Sequence, residues 1–127
     1  MVRALLSSAE VIGRGVERLL DQIRSSAPDS KVLLMSPIAL GEGVGEEGYD
    51  PEFDERSVAV SKRLPDVYRR IAHERGISFL AASAYAKPSE EDREHMNEEG
   101  HAALAEAVYA KLKEMLAGEK ENAQIPA

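Results

Sequence analysis

The sequence predicts an α/β domain of parallel strands with flanking helices, and three observations carry that reading. Two short apolar runs, Val32–Met35 and Ile77–Leu80, are continuous rather than alternating, the pattern of strands buried on both faces of a parallel sheet. Three longer stretches place apolar residues at helical spacing. One of these lies between the two strands, and a strand–helix–strand order closes as a right-handed crossover with the strands parallel.

Taken in order, Met1 to Leu6 are too short to classify. Ser7-Ser8-Ala9-Glu10 has capping-box spacing and opens a helix whose stripe is Ile12, Val16, Leu19, Leu20 and Ile23. Gly13 and Gly15 each weaken that helix by roughly 1 kcal/mol relative to Ala, which points to close approach by a neighbouring element. Ala27-Pro28-Asp29-Ser30 ends it. After the first strand Pro37 stops the run, and residues 38–53, with Gly41, Gly43, Gly45 and Gly48, read as a long mobile loop. A second helix is expected over about Asp54 to Arg75, with a kink at Pro65 or a start near Leu64. Gly76 is its natural C-cap. The second strand follows, then a small-residue loop through Tyr85. The last helix carries His101, Leu104, Val108, Leu112 and Met115 on one stripe and is expected to end near Gly118, leaving 119–127 as a frayed tail.

The chain is one domain at 127 residues. Its 23 Asp and Glu against 16 Lys and Arg, a net charge of −7, argue against nucleic acid or an anionic membrane as partner. Without cysteine, disulfides and thiolate sites are excluded. No apolar run approaches the ~20 residues of a membrane span, and no secretory signal begins the chain, so a cytoplasmic address is the expectation. A signal would be missing too if an upstream half is missing. Gly43-x-Gly45-x-x-Gly48 matches the letters of a dinucleotide fingerprint, but Glu42, Glu46 and Glu47 would repel a pyrophosphate and no helix opens directly after it. No cofactor is expected. Asp92, Glu94, His95, Glu98 and His101 offer metal donors, yet their spacing matches no helix-borne zinc motif, and no metal is expected either.

The chemistry concentrates between Pro88 and Val108. Asp92 and His95 lie three positions apart in a loop that runs into a helix marked by Asn97 as cap and by Glu98 and Glu99 at the positive end of its dipole. An imidazole held there with a carboxylate in reach of one ring nitrogen is what a general base needs. In a parallel crossover the loops leaving the carboxyl ends of the strands lie together. The glycine-rich loop, with Ser36, Pro37, Gly41 and Gly43, is therefore the expected substrate wall beside Asp92 and His95.

Asp-x-x-His followed by Met96-Asn97-Glu98-Glu99-Gly100-His101 resembles the last block of the SGNH or GDSL hydrolases. Phe79–Ala82 is similar to that family's fifth strand and Val32–Pro37 to its fourth. The resemblance implies a partial three-layer flavodoxin-like fold and a serine esterase mechanism on carboxylic ester or thioester substrates, with Asp92 as triad acid and His95 as base. It covers only the C-terminal half of such a domain. The blocks for the nucleophilic serine and the oxyanion hole would lie before Met1, and Ser36 and Ser83 lack the setting of a nucleophile. Two departures are Arg93, where the family usually has Gly, and Ala81, where many relatives have Asp. His101 is expected to pack on its helix face and His73 to be exposed. In the family's strand order the Val32–Met35 edge would lose its neighbour, so pairing there is expected, with a second copy or a separate N-terminal half. The competing reading is a catalytically incomplete relative acting as an interaction module.

Overall fold

Ser8 starts the first helix, α1 (Ala9–Ser26), by accepting the N–H of Val11 on its side-chain oxygen at 3.4 Å. The computed structural model describes residues 8–124, with side chains through residue 118. The expected cap at Ser7 and the unclassified Met1 to Leu6 lie outside the described residues. The helix ends at Ala27, as Pro28 requires.

The first strand, β1 (Leu33–Ser36), follows, then helix α2 (Glu55–Arg75), strand β2 (Ser78–Ala81), a short 3-10 turn (Ala82–Ala84) and helix α3 (Glu98–Gln124). β1 and β2 pair in parallel with Leu33 opposite Ser78 and Ser36 opposite Ala81. Each strand begins one residue later than its apolar run, although the Ser78 N–H still donates to the Val32 carbonyl at 3.2 Å.

Helix α2 is capped twice over. Asp54 accepts the N–H groups of Arg56 and Ser57 at 3.0 Å each, and the Ser57 hydroxyl accepts the Asp54 N–H at 3.2 Å. Gly76 closes it in the left-handed region at φ 65°. The helix runs unbroken through Pro65 and has no second start near Leu64. Proline there lacks an N–H for the Ser61 carbonyl, and the cost is offset because Leu64, Val67 and Ile71 around it are core residues. That core joins Ala9 and Leu20 of α1 to Leu64, Val67 and Ile71 of α2, with Val32, Leu34 and Ile77 packed against it. The two helices pack closely at Gly13, since a Cβ there would lie 2.7 Å from Val67 Cγ1.

Four expectations are corrected. Residues 38–53 are not loose: bonds from Val44 N–H to Gly41 O, Glu46 N–H to Gly43 O, Tyr49 N–H to Glu46 O and Asp50 N–H to Val44 O wind them into successive turns. Val44 is fully buried, and the Leu40 N–H is tied to Ser61 Oγ at 3.0 Å. β1 is not covered on both faces, because Met35 is 41% exposed. On α3, His101 and Leu112 are exposed while Leu104, Val108 and Met115 are half-buried; a sheet of two strands offers that stripe too little surface to cover it. Finally, α3 continues past Gly118 to Gln124. One glycine costs a helix interior only about 1 kcal/mol, too little to stop it. Of the expected frayed tail, residues 125–127 lie outside the described residues.

Candidate active site

Both loops leaving the carboxyl ends of β1 and β2 meet at one edge of the sheet, as parallel pairing dictates. The loop after β2 carries Asp92 and His95 and closes on itself. The Ser89 N–H donates to the His95 carbonyl at 2.7 Å, and the Arg93 N–H donates to the Ser89 carbonyl at 2.9 Å. Helix α3 anchors it from the far side: Asn97 Oδ1 accepts the Gly100 N–H at 2.8 Å. Gly100 is buried there in a close fit: a Cβ would stand 3.2 Å from Met96 Cβ and 3.4 Å from Ala86 Cβ, so its neighbours would have to give by a few tenths of an ångström.

Within this turn Asp92 and His95 are in direct contact, Oδ2 to Nδ1 at 2.5 Å. The other carboxylate oxygen, Oδ1, accepts the backbone N–H groups of Glu94 and His95 at 2.9 Å each and the Ser89 hydroxyl at 3.3 Å. Every one of these contacts favours the ionised carboxylate. The Glu94 N–H, then the His95 ring and the His95 N–H, hold Asp92 well below the usual carboxylate range. In turn the hydrogen bond to Asp92, followed by its charge, raises the His95 imidazole. The Glu94 carboxyl is pushed up by loss of solvent, with Asp50 beside it adding to the rise.

With Nδ1 engaged by the carboxylate, the tautomer that carries hydrogen on Nδ1 leaves Nε2 as the acceptor. The His95 side chain is 79% exposed. The arrangement is a carboxylate-oriented imidazole with one basic nitrogen open to an incoming proton, a geometry suited to general acid–base chemistry.

No family model matches the chain, and no curated protein matches it. Solved structures do. One crystal structure is 36% identical, covers 86% of this chain and superposes with a TM-score of 0.81, while 51% of its own length is covered. A protein assigned as an arylesterase from Agrobacterium tumefaciens is 28% identical over 84% of this chain and 52% of its own, with a TM-score of 0.71. A carbohydrate acetylesterase family member from Sinorhizobium meliloti shares the fold at 22% identity, over 87% of this chain and 54% of its own, with a TM-score of 0.74. The chain resembles part of an SGNH-type hydrolase. It spans about half the length of the structures it matches.

Within this SGNH-like fold the remaining predicted residues fall into two groups. Gly41 and Gly43 lie against the turn that carries Asp92 and His95, the Gly41 N–H donating to the Arg93 carbonyl at 2.8 Å and the Gly43 carbonyl accepting from Arg93 Nη1 at 2.9 Å. Pro37 is exposed beside them in sequence. Ser36 does not join them: it is fully buried, and its hydroxyl has no hydrogen-bond partner among the described residues. Ser83 is exposed on the 3-10 turn, and no hydroxyl among the described residues is bonded to His95. His73 is exposed on α2. Among the described residues no three His, Asp or Glu side chains converge on a metal position, and no helix is long and apolar enough to cross a membrane. Sequence reasoning missed Ser89 as a support for Asp92 and Tyr49 as a partner of Arg93. A serine three positions before the acid was the available signal for the first; nothing local signals the second.

Proposed function

We propose that this chain supplies the acid and base of a serine esterase site acting on small carboxylic esters, with Asp92 orienting His95 and the nucleophilic hydroxyl coming from the part of the SGNH fold the chain does not span. The single observation that carries the reading is the 2.5 Å contact between Asp92 Oδ2 and His95 Nδ1, with Oδ1 fixed by two backbone N–H groups. The arylesterase and acetylesterase among its structural neighbours support acetyl and aryl esters as the class to try first.

In this mechanism His95 Nε2 takes the proton of the serine hydroxyl as its oxygen bonds to the ester carbonyl carbon. The imidazolium so formed faces the Asp92 carboxylate. Collapse of the tetrahedral intermediate breaks the bond to the leaving alkoxide, which receives the proton from Nε2. Water, deprotonated by the same nitrogen, then releases the acid and restores the hydroxyl.

The test is complementation. The chain is combined with the nucleophile-bearing half of an SGNH-type hydrolase, and hydrolysis of 4-nitrophenyl acetate is followed. The expected outcome is turnover that His95→Ala lowers by roughly ten-thousand-fold or more. Turnover unchanged by His95→Ala would refute the assignment. A second reading, an interaction module without chemistry, is favoured by the open β1 edge and its exposed Met35. It predicts stable association through that edge with a second copy or with the other half, and no His95-dependent hydrolysis in any combination.

A further inference from the structure

Arg93 stands between the acid and the base, and it is the only non-glycine among the described residues with a positive φ, 61°. That backbone region favours glycine, and an arginine held in it needs its surroundings to over-determine the conformation. They do so through both its main chain and its side chain. The Arg93 N–H donates to Ser89 O and the Arg93 carbonyl accepts the Gly41 N–H at 2.8 Å. Its Nη1 donates to Gly43 O at 2.9 Å and to Glu46 Oε1 at 3.3 Å. Its guanidinium lies over the Tyr49 ring, 3.8 Å from the centroid. One residue of the His95 turn thus grips positions 41, 43, 46 and 49 of the glycine-rich loop. The loop is shaped to admit it. A Cβ at Gly41 would stand 3.0 Å from Arg93 Cβ, and one at Gly43 would collide with Arg93 Nη1. The Arg93 side chain is only 29% exposed despite its length and charge.

We propose that Arg93 is a positioning residue that fastens the glycine-rich loop to the His95 turn, so that the wall beside His95 and the acid–base pair keep one relative position. Its meaning for substrate selection rests on the esterase reading of Asp92 and His95: a wall that cannot swing away limits the size of the acyl group beside His95. The clamp itself is independent of that reading. A guanidinium is suited to the task because its planar fork can donate to a carbonyl and a carboxylate while its face stacks on an aromatic ring; a lysine ammonium cannot do both.

The clamp is tested on the 127-residue chain by nuclear magnetic resonance, with no need for turnover. Arg93→Gly suits the left-handed backbone and removes only the side chain; Arg93→Lys keeps the charge and serves if the glycine variant does not fold. In both variants amide exchange at Glu46 and Asp50 should accelerate at least tenfold while exchange at Met35 and Leu80 in the strands stays as in the parent. Tyr49→Leu should move the His95 ring resonances in the parent chain and leave them in place in the Arg93→Gly background. Loop exchange within twofold of the parent in Arg93→Gly or, should that variant not fold, in Arg93→Lys, or an equal Tyr49→Leu effect on His95 in both backgrounds, would overturn the proposal. If the loop loosens as expected while His95 in the parent titrates at its ordinary value, the acid–base reading fails and the clamp stands.

Discussion

At His95 and Asp92, one short contact fixes the pH behaviour of the turn. Asp92 has its carboxyl lowered from 3.8 and His95 its imidazole raised from 6.5. A lowered carboxyl contributes stability that is present above its unfolded value and is lost as pH falls through the folded one. A raised imidazole contributes stability that is present below its unfolded value and is lost as pH rises through the folded one. Both contributions are therefore complete only between about pH 4 and 6.5. Denaturation midpoints should fall from pH 5.5 to pH 8.5 by more in the parent than in Asp92→Asn, and by a small amount, since both side chains are well exposed. Equal falls in the two would deny the pair any linkage. Gly45 makes a sharper prediction: a Cβ there would overlap the Phe53 carbonyl oxygen, a backbone atom that cannot rotate aside. Gly45→Ala should lower stability by about 2 kcal/mol or more, read from urea unfolding.

Helix α1 offers a controlled contrast between two glycines in the same element. Gly15 is exposed, and a methyl group there would meet nothing within 4 Å, so Gly15→Ala should stabilise the fold by up to about 1 kcal/mol. Gly13 gains the same helix propensity but meets Val67 Cγ1 at 2.7 Å. Overpacking typically costs about 1–3 kcal/mol, so Gly13→Ala should be neutral to destabilising by about 2 kcal/mol. Thermal melts of the two variants decide the sign at each site. Asp54→Ala should cost about 1 kcal/mol through loss of the α2 cap. Elements such as these were legible in the sequence because their signals are local: Asn97 and Gly76 cap where their residue types say, and the two apolar runs become the two strands. The glycine-rich loop was not legible. Its order comes from buried Val44 and from Arg93, fifty residues from Gly43 in the chain, and no short-range pattern announces a contact of that separation. The burial of Ser36 escaped for the same reason, being set by what packs over the strand end rather than by the strand's own letters.

For the molecule as a whole, the balance of covered and open surface follows from a sheet of two strands. α1 and α2 share a core, whereas Met35 on β1 and Tyr109, Leu112 and Leu116 on α3 remain open. An open strand edge with apolar neighbours is a template for pairing. The isolated chain should therefore self-associate at micromolar concentration in sedimentation, and Met35→Lys should shift it towards monomer; a monomeric parent would remove the case for association through this edge. What the whole fold does for the site is bring two strand-end loops to one rim and anchor the second by α3. The most direct test of that central claim is a ¹⁵N titration of the His95 ring. It should show hydrogen on Nδ1 in the neutral form and a midpoint above the ordinary histidine value that drops in Asp92→Asn. A neutral ring protonated on Nε2, with a midpoint at the ordinary value and unmoved by Asp92→Asn, would contradict it.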